Sequence, residues 1–251
     1  MTNIIMTGCS GKMGASIIAA AANRSDVKIT AGVDLVAPKD ADFVYAPSFS
    51  ELDCEADVIV DFSNPVVLTS MLAYAVAHKM PVVICTTGYS EEQKKQIAEA
   101  SKQIPVFYSG NMSLGINLII ELAKRAAAVF GDGFDIEIVE QHHNQKLDAP
   151  SGTALMIADA ISQVRTESEY VYDRHSYRKK RDKNEIGIHS IRGGNIVGEH
   201  EVIFAGQDEI LTISHSARSK TVFAVGALNA AVFLKGREPG MYNMSDLLQS
   251  V

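Results

Sequence analysis

Ile4-Ile5-Met6-Thr7-Gly8-Cys9-Ser10-Gly11-Lys12-Met13-Gly14 is the stretch that decides the fold. A short apolar strand runs into three glycines, and residues 17–23 continue as an alanine-rich helix. Glycines let the backbone turn tightly and come close to a pyrophosphate, while a helix N-terminus offers unpaired N–H groups and the positive end of a dipole. The spacing is G-x-x-G-x-x-G, not the commoner G-x-G-x-x-G, so the loop by itself is a weak signal. It is strengthened by Asp34, which stands twenty residues past Gly14. An acid there can hold the two ribose hydroxyls of an adenosine. The bland reading is an ordinary strand–helix turn with a surface aspartate.

Working outward, residues 27–33 form an apolar strand ending at Asp34, and residues 58–60 form another ending at Asp61. Pro65 opens a helix reaching about Lys79, since proline suits a first helical turn. Residues 82–85 and 106–108 are further strands, and between them Ser90 and Gln93 form a capping box. Strands alternating with helices predict a buried parallel sheet of α/β class. Ligands of such sheets sit beyond the C-terminal strand ends, so Asp34, Asp61, Thr86-Thr87-Gly88 and Gly110-Asn111-Met112 are expected to line one crevice.

The pattern changes after Met112. A long apolar helix is expected over 114–129, a strand over 134–139 and a helix over 151–164. Strands follow at 186–191, 196–204 and 209–216, the last two alternating as half-buried strands do. This is a second, α+β domain. An apolar helix over 221–234 is expected to pack back on the first.

The composition sets limits. A chain of 251 residues is comfortable for two unequal domains and buries roughly 70–75% of its unfolded surface without staples. A net charge of −7 argues against nucleic acid as a partner. Cys9, Cys54 and Cys85 are odd in number and far apart, which argues against disulfides and zinc and for a reducing cytoplasm. The first residues lack the basic and long apolar regions of a signal peptide, and no apolar run reaches the length of a membrane span.

The chemistry points to Glu140-Gln141-His142-His143-Asn144-Gln145-Lys146-Leu147-Asp148-Ala149-Pro150-Ser151-Gly152-Thr153-Ala154. Histidine titrates near neutral pH, and a desolvated or cation-flanked lysine can be brought toward it. Ser151 is a good N-cap, and the helix it opens can bind a carboxylate through N–H groups and the Thr153 hydroxyl. Lys146 and His143 can add charge-assisted hydrogen bonds. The alternatives are that one of two adjacent strand histidines is structural, since they face opposite ways, and that Lys146 is a solvated surface charge. No metal is expected, because no nearby Cys, Asp or Glu has ligand spacing. His78, His175, His189, His200 and His215 read as structural. The basic run of residues 174–183 reads as a solvated loop, with attraction of an acidic substrate as the alternative.

With these residues the chain resembles the dihydrodipicolinate reductase family, also described as 4-hydroxy-tetrahydrodipicolinate reductase, over nearly its whole length. The signature E-x-H-H-x-x-K-x-D-A-P-S-G-T-A is matched by residues 140–154 at every fixed position. Asp61-Phe62-Ser63, Thr86-Thr87-Gly88, residues 111–117, residues 188–194 and Gly198-Glu199-His200 support it. The resemblance implies a Rossmann-like parallel-sheet nucleotide-binding domain, residues 1–112 and 220–251, with an α+β substrate and oligomerisation domain, residues 113–219. It implies that His142 and Lys146 move protons, and that His143, Gly152 and Thr153 bind the carboxylate of a small dicarboxylate. It places the nicotinamide cofactor on Gly8, Cys9, Ser10, Gly11, Lys12, Met13, Asp34, Cys85, Thr86, Thr87, Ser109, Gly110, Asn111, Met112, Lys220 and Phe223.

Cys85 stands where the family often has glycine, Lys220 where some members have arginine, and Leu35 where members using both cofactors can have a basic residue. Asp34 repels a 2′-phosphate, and only Lys12 and Lys39 could offset it, so NADH is favoured and NADPH is the alternative. The implied reaction reduces 4-hydroxy-tetrahydrodipicolinate to tetrahydrodipicolinate with loss of water, in diaminopimelate and lysine synthesis. The family is usually a homotetramer. Two other readings are a Rossmann oxidoreductase acting on another imine or semialdehyde, and a non-enzymatic NAD(H) sensor.

Overall fold

The computed structural model describes residues 1–38, 41–176 and 178–250, which leaves Lys39 outside the described residues. The chain divides into one unit of Met1–Leu114 with Lys220–Val251 and a second of Gly115–Ser219. In chain order the elements are β1 (Thr2–Thr7), α1 (Lys12–Ala22), β2 (Val27–Val33), β3 (Val44–Ala46), β4 (Val58–Asp61), α2 (Leu68–Ala77), β5 (Val82–Ile84), α3 (Glu91–Ser101) and β6 (Pro105–Tyr108). The second unit then holds α4 (Leu114–Phe130), β7 (Asp135–His142), α5 (Gly152–Ser162), β8 (Glu169–Val171), β9 (Glu185–Arg192), β10 (Gly198–Ala205) and β11 (Ile210–Ala217). The chain returns to the first unit through α6 (Thr221–Leu234), β12 (Gly240–Tyr242) and α7 (Met244–Gln249).

The first unit is built on a seven-stranded sheet in the order β12-β6-β5-β4-β1-β2-β3, parallel at every pairing. Ile4, Ile5, Met6 and residues 58–60 and 82–84 are fully buried, because helices cover both faces. The strand order turns back between β1 and β4, which makes the space beyond Thr7 and Asp61 the natural ligand crevice. Helix α6 is apolar nearly all round, and seven of its residues are buried, including Ala227, Leu228, Ala231 and Leu234. It lies close to the residue 109–112 turn: a Cβ on Gly226 would sit 1.7 Å from the Met112 carbonyl oxygen.

The second unit is a mixed five-stranded sheet, β11-β10-β7-β9-β8. Strands β10 and β11 run antiparallel to their neighbours, while β7, β9 and β8 pair in parallel. Helices α4 and α5 pack on one face, where Ile119, Ala123, Ile157 and Ile161 meet Ile136, Ile138, Ile188, Val202 and Phe204. The opposite face shows half-buried Glu137, Gln141, Glu199, Glu201 and Ile203. Both architectures expected from the sequence are present. Strand β7 runs on through Glu140, Gln141 and His142 instead of ending at Val139, because both neighbours continue to pair with it. Four short elements with too few residues to show a period were not expected: β3, β8, β12 and α7.

The close approach at Gly226 makes a stability prediction. Gly226→Ala should cost about 1–3 kcal/mol, the usual scale of overpacking, read as a lower urea midpoint. An unchanged midpoint would mean that α6 moves away at no cost.

Candidate active site

In the first unit the glycine loop is shaped by backbone crowding. Gly8 has φ +82°, and a Cβ on it would lie 2.4 Å from the Phe62 carbonyl oxygen. A Cβ on Gly14 would lie 2.2 Å from the Gly8 oxygen. Side chains are therefore excluded at both positions. The N-cap of helix α1 is Gly11, which has no side chain to cap the first turn. Asp34 braces the loop: the Ser10 N–H donates to its Oδ2 at 3.0 Å and the Leu35 N–H to its Oδ1 at 2.7 Å. The Ser10 hydroxyl donates to the Val36 carbonyl at 2.7 Å. A cleft of about 540 Å³ opens here, lined by Gly8, Gly11, Asp34, Leu35, Phe62 and Val66 among others.

The other expected cofactor residues sit at the same C-terminal strand ends. Residues 85–87 follow β5, and Ser109, Gly110, Asn111 and Met112 follow β6. The Ser109 hydroxyl donates to the Asn111 carbonyl at 2.9 Å, and the Ser113 N–H to Asn111 Oδ1 at 2.9 Å. Thr87 and Gly110 are exposed. Cys9 and Cys85 point into the apolar core, so they can meet a nucleotide only through backbone. Burial pushes the Cys9 thiol up to about 11 and the Cys85 thiol well up too. Lys12 and Lys220 are exposed at the heads of α1 and α6, and Phe223 is half-buried against the core.

Between β4 and β5 lies a buried carboxylate to which the sequence reading gave a place but no partners. Asp61 accepts from the Ser63 hydroxyl, the Ser63 N–H and the Tyr89 hydroxyl. Burial raises its pKa against those hydrogen bonds. It ties the turn after β4 to the loop after β5.

In the second unit, Glu140 and His142 share the strand face of Ile136 and Ile138, toward the helices. Glu140 is fully buried. Arg192, opposite His142 in register, grips its carboxylate with two hydrogen bonds, 2.8 and 2.7 Å. The His142 Nδ1 lies 2.6 Å from Oε2, and the Ser151 N–H donates to Oε1 at 3.0 Å. Burial pushes the Glu140 pKa up, but the hydrogen bonds from Arg192, Ser190, His142 and Ser151 outweigh it and hold the group at about 2. Burial also lowers the pKa of His142, opposed by Glu140 and assisted by the positive charges of Lys146 and Arg192. The balance favours the neutral ring.

Lys146 donates to Asp148 Oδ1 at 2.7 Å, and its backbone N–H closes a turn onto the His143 carbonyl at 3.1 Å. Ser151 caps α5 by accepting from the Ala154 N–H at 3.2 Å, and Gly152 is the exposed first residue of that helix. Thr153 follows, half-buried. Thus His142, His143, Lys146, Gly152 and Thr153 belong to one strand–turn–helix segment of the second unit. Sequence reasoning missed Arg192 and gave Glu140 no role. The spacing of Glu140 two residues before His142 was the available signal, since alternate strand residues share a face. His200, read as structural, is buried, lies 3.1 Å from Ser151 Oγ through Nε2, and stands edge-on to His142 with ring centroids 5.3 Å apart. Burial and the nearby His142 bring its pKa down to about 4. The basic run is partly structural: Arg174 pairs with Glu185, and Arg181 with Asp135 and Glu137.

This pair of sites is matched by two family descriptions in succession: dihydrodipicolinate reductase N-terminus over residues 2–112 and C-terminus over residues 115–248. The chain belongs to the dihydrodipicolinate reductase family. The 4-hydroxy-tetrahydrodipicolinate reductase of Caldanaerobacter subterraneus subsp. tengcongensis is 54% identical over 99% of both chains. That of Clostridium novyi is 48% identical over 100% of this chain and 99% of its own. Among solved structures, dipicolinate-bound dihydrodipicolinate reductase from Paenisporosarcina sp. TG-14 superposes with a TM-score of 0.80 at 25% identity, covering 97% of each chain.

The Glu140 clamp predicts an acid-sensitive stability. Its pKa falls from the ordinary 4.5 to about 2 on folding. The unfolded chain thus binds more protons in that interval, and stability is lost as the pH drops from about 4.5 toward about 2. Urea midpoints across this window should fall less steeply in Glu140→Gln than in the wild type. Parallel slopes would show that the clamp does not contribute.

Proposed function

We propose that the protein reduces 4-hydroxy-tetrahydrodipicolinate to tetrahydrodipicolinate with loss of water, in diaminopimelate and lysine synthesis. The observation that carries this reading is the gathering of His142, His143, Lys146 and the α5 N-terminus in one segment of a family member whose other unit holds a glycine cradle closed to side chains at Gly8 and Gly14. Residues 1–112 and 220–251 are the nucleotide-binding domain, and residues 113–219 the substrate and oligomerisation domain.

The cradle fits a nicotinamide nucleotide. The glycine loop and the uncapped α1 N-terminus suit a pyrophosphate, and Asp34 at the cleft suits an adenosine ribose. Residues 8–13, 85–87, 109–112, Lys220 and Phe223 are the further contacts. When bound, the reduced nicotinamide supplies a hydride to C4 of the dehydrated cyclic dicarboxylate. NADH is preferred over NADPH, because the Asp34 carboxylate repels a 2′-phosphate and Leu35 beside it offers no cation.

The chain's own residues do the rest. The Lys146 ammonium donates the proton that balances the hydride, assisted by His142, whose Nε2 faces away from the Glu140 contact. The Gly152 N–H, the Thr153 hydroxyl and His143 hold a substrate carboxylate at the positive end of α5. The half-buried face of the second sheet, opposite α4 and α5, supports a homotetramer assembled through that sheet, and the three separated thiols suit a reducing cytoplasm. No described helix is long and apolar enough to cross a membrane.

The decisive assay generates the cyclic substrate in situ from pyruvate and aspartate semialdehyde and follows loss of reduced nicotinamide absorbance. Turnover should require the cyclic substrate and be faster with NADH. Nucleotide binding without turnover would reject the reductase. Lys146→Ala should lower kcat by roughly two to four orders of magnitude while NADH still binds; an unchanged kcat would exclude Lys146 as the acid. Asp34→Ala should weaken NADH and narrow its advantage over NADPH in titrations monitored by nicotinamide fluorescence. If neither affinity moves, Asp34 does not hold the ribose.

A further inference from the structure

Four donors converge on one buried carboxylate in the second unit. Glu140 Oε2 takes Arg192 Nη1 at 2.8 Å and His142 Nδ1 at 2.6 Å, and Oε1 takes Arg192 Nη2 at 2.7 Å and the Ser151 N–H at 3.0 Å. Each oxygen holds two of these partners, and the Ser190 side chain adds to the stabilisation of the charge. Arg192 Nη2 also reaches the Asp148 carbonyl at 2.7 Å. One carboxylate thereby joins the end of β7, the end of β9, the turn that carries Lys146 and the first turn of α5.

We infer that Glu140 is a positioning residue for the reaction: it locks the His142 ring as the Nδ1–H tautomer and sets the α5 N-terminus beside it. This rests on the proposed role of His142 in proton transfer. An ionised carboxylate can only accept, so the Nδ1 facing it must carry the proton. In a neutral ring Nε2 is then the acceptor, left for chemistry. The same division of labour holds where an acid orients a catalytic histidine without itself changing protonation. The other charged or titratable groups around the ring are Lys146 from the following turn, Arg192 from β9 and His200 from β10. Lys146 and Arg192 are donors only, and His200 meets the ring edge-on. Among these neighbours only Glu140 supplies an acceptor to Nδ1. The same carboxylate holds the Ser151 N–H, so the helix that would receive substrate and the ring that would move its proton share one anchor.

The test uses the full-length protein with histidine labelled in both ring nitrogens. In the wild type the 15N spectrum should report His142 as the Nδ1–H tautomer, assigned by its loss in His142→Asn; an Nε2–H ring would overturn the inference without any variant of Glu140. Glu140→Gln keeps the shape but turns one acceptor into a donor. It should lower kcat about 100-fold or more, leave NADH affinity within about twofold, and shift the His142 tautomer. Glu140→Asp, which retains the acceptor, should recover part of that loss. Unchanged kcat and tautomer in Glu140→Gln, with His142→Asn inactive, would overturn the positioning role alone. Full activity in His142→Asn would overturn the assigned role of His142, and the inference with it.

Discussion

A carboxylate with no access to water must find its hydrogen-bond donors inside the protein, and the candidate site of the second unit depends on how Glu140 finds them. Burial alone would make it a neutral acid. The planar fork of Arg192, held in register across β7 and β9, keeps it ionised instead. An ionised, fully buried acceptor then imposes order on its neighbours. It aligns His142, anchors the first residue of the α5 cap, and through Arg192 ties down the Asp148 carbonyl. Removing one partner would leave the others with uncompensated buried charge, so the cluster behaves as a unit.

A different constraint shapes the first unit. There the chain needs backbone to approach backbone more closely than a Cβ allows, at Gly8 against Phe62 and at Gly14 against Gly8. Those contacts bend the segment after β1 into a cradle that leads into α1, whose N-cap Gly11 makes no side-chain cap. Asp34 then serves twice. Its carboxylate already receives the Ser10 and Leu35 N–H groups, which stiffens the loop before any ligand arrives. Its place at the end of β2 also puts a negative charge at the edge of the cleft. Asp61 repeats the device one strand over, tying Ser63 to Tyr89.

Much of this could be read from residue order. The alternation of apolar strands with helices announced a parallel sheet, and the glycine loop and Asp34 do stand at its C-terminal strand ends. The Ser90–Gln93 capping box and the Ser151 cap were local patterns, and both occur in the structure. Other features were hidden for physical reasons. Strands β3, β8 and β12 have three residues each, too few to show alternation, and exist because a neighbouring strand offers them hydrogen bonds. The apolar run of β7 stopped at Val139 because Glu140, Gln141 and His142 are polar, yet pairing on both sides holds them extended. The basic run looked solvated until Arg174 met Glu185 on β9 and Arg181 met Asp135 and Glu137 on β7.

By itself the sequence determined the class of each domain, the candidate segments and the residue types available there, because periodicity, caps and glycine positions are local properties of the chain. Only the tertiary structure decided which acid partners which base. Arg192 lies fifty-two residues from Glu140, and His200 lies forty-nine from Ser151. Such pairs are selected by strand register and by the energetic need to satisfy every buried charge, and neither is visible until the sheet has formed.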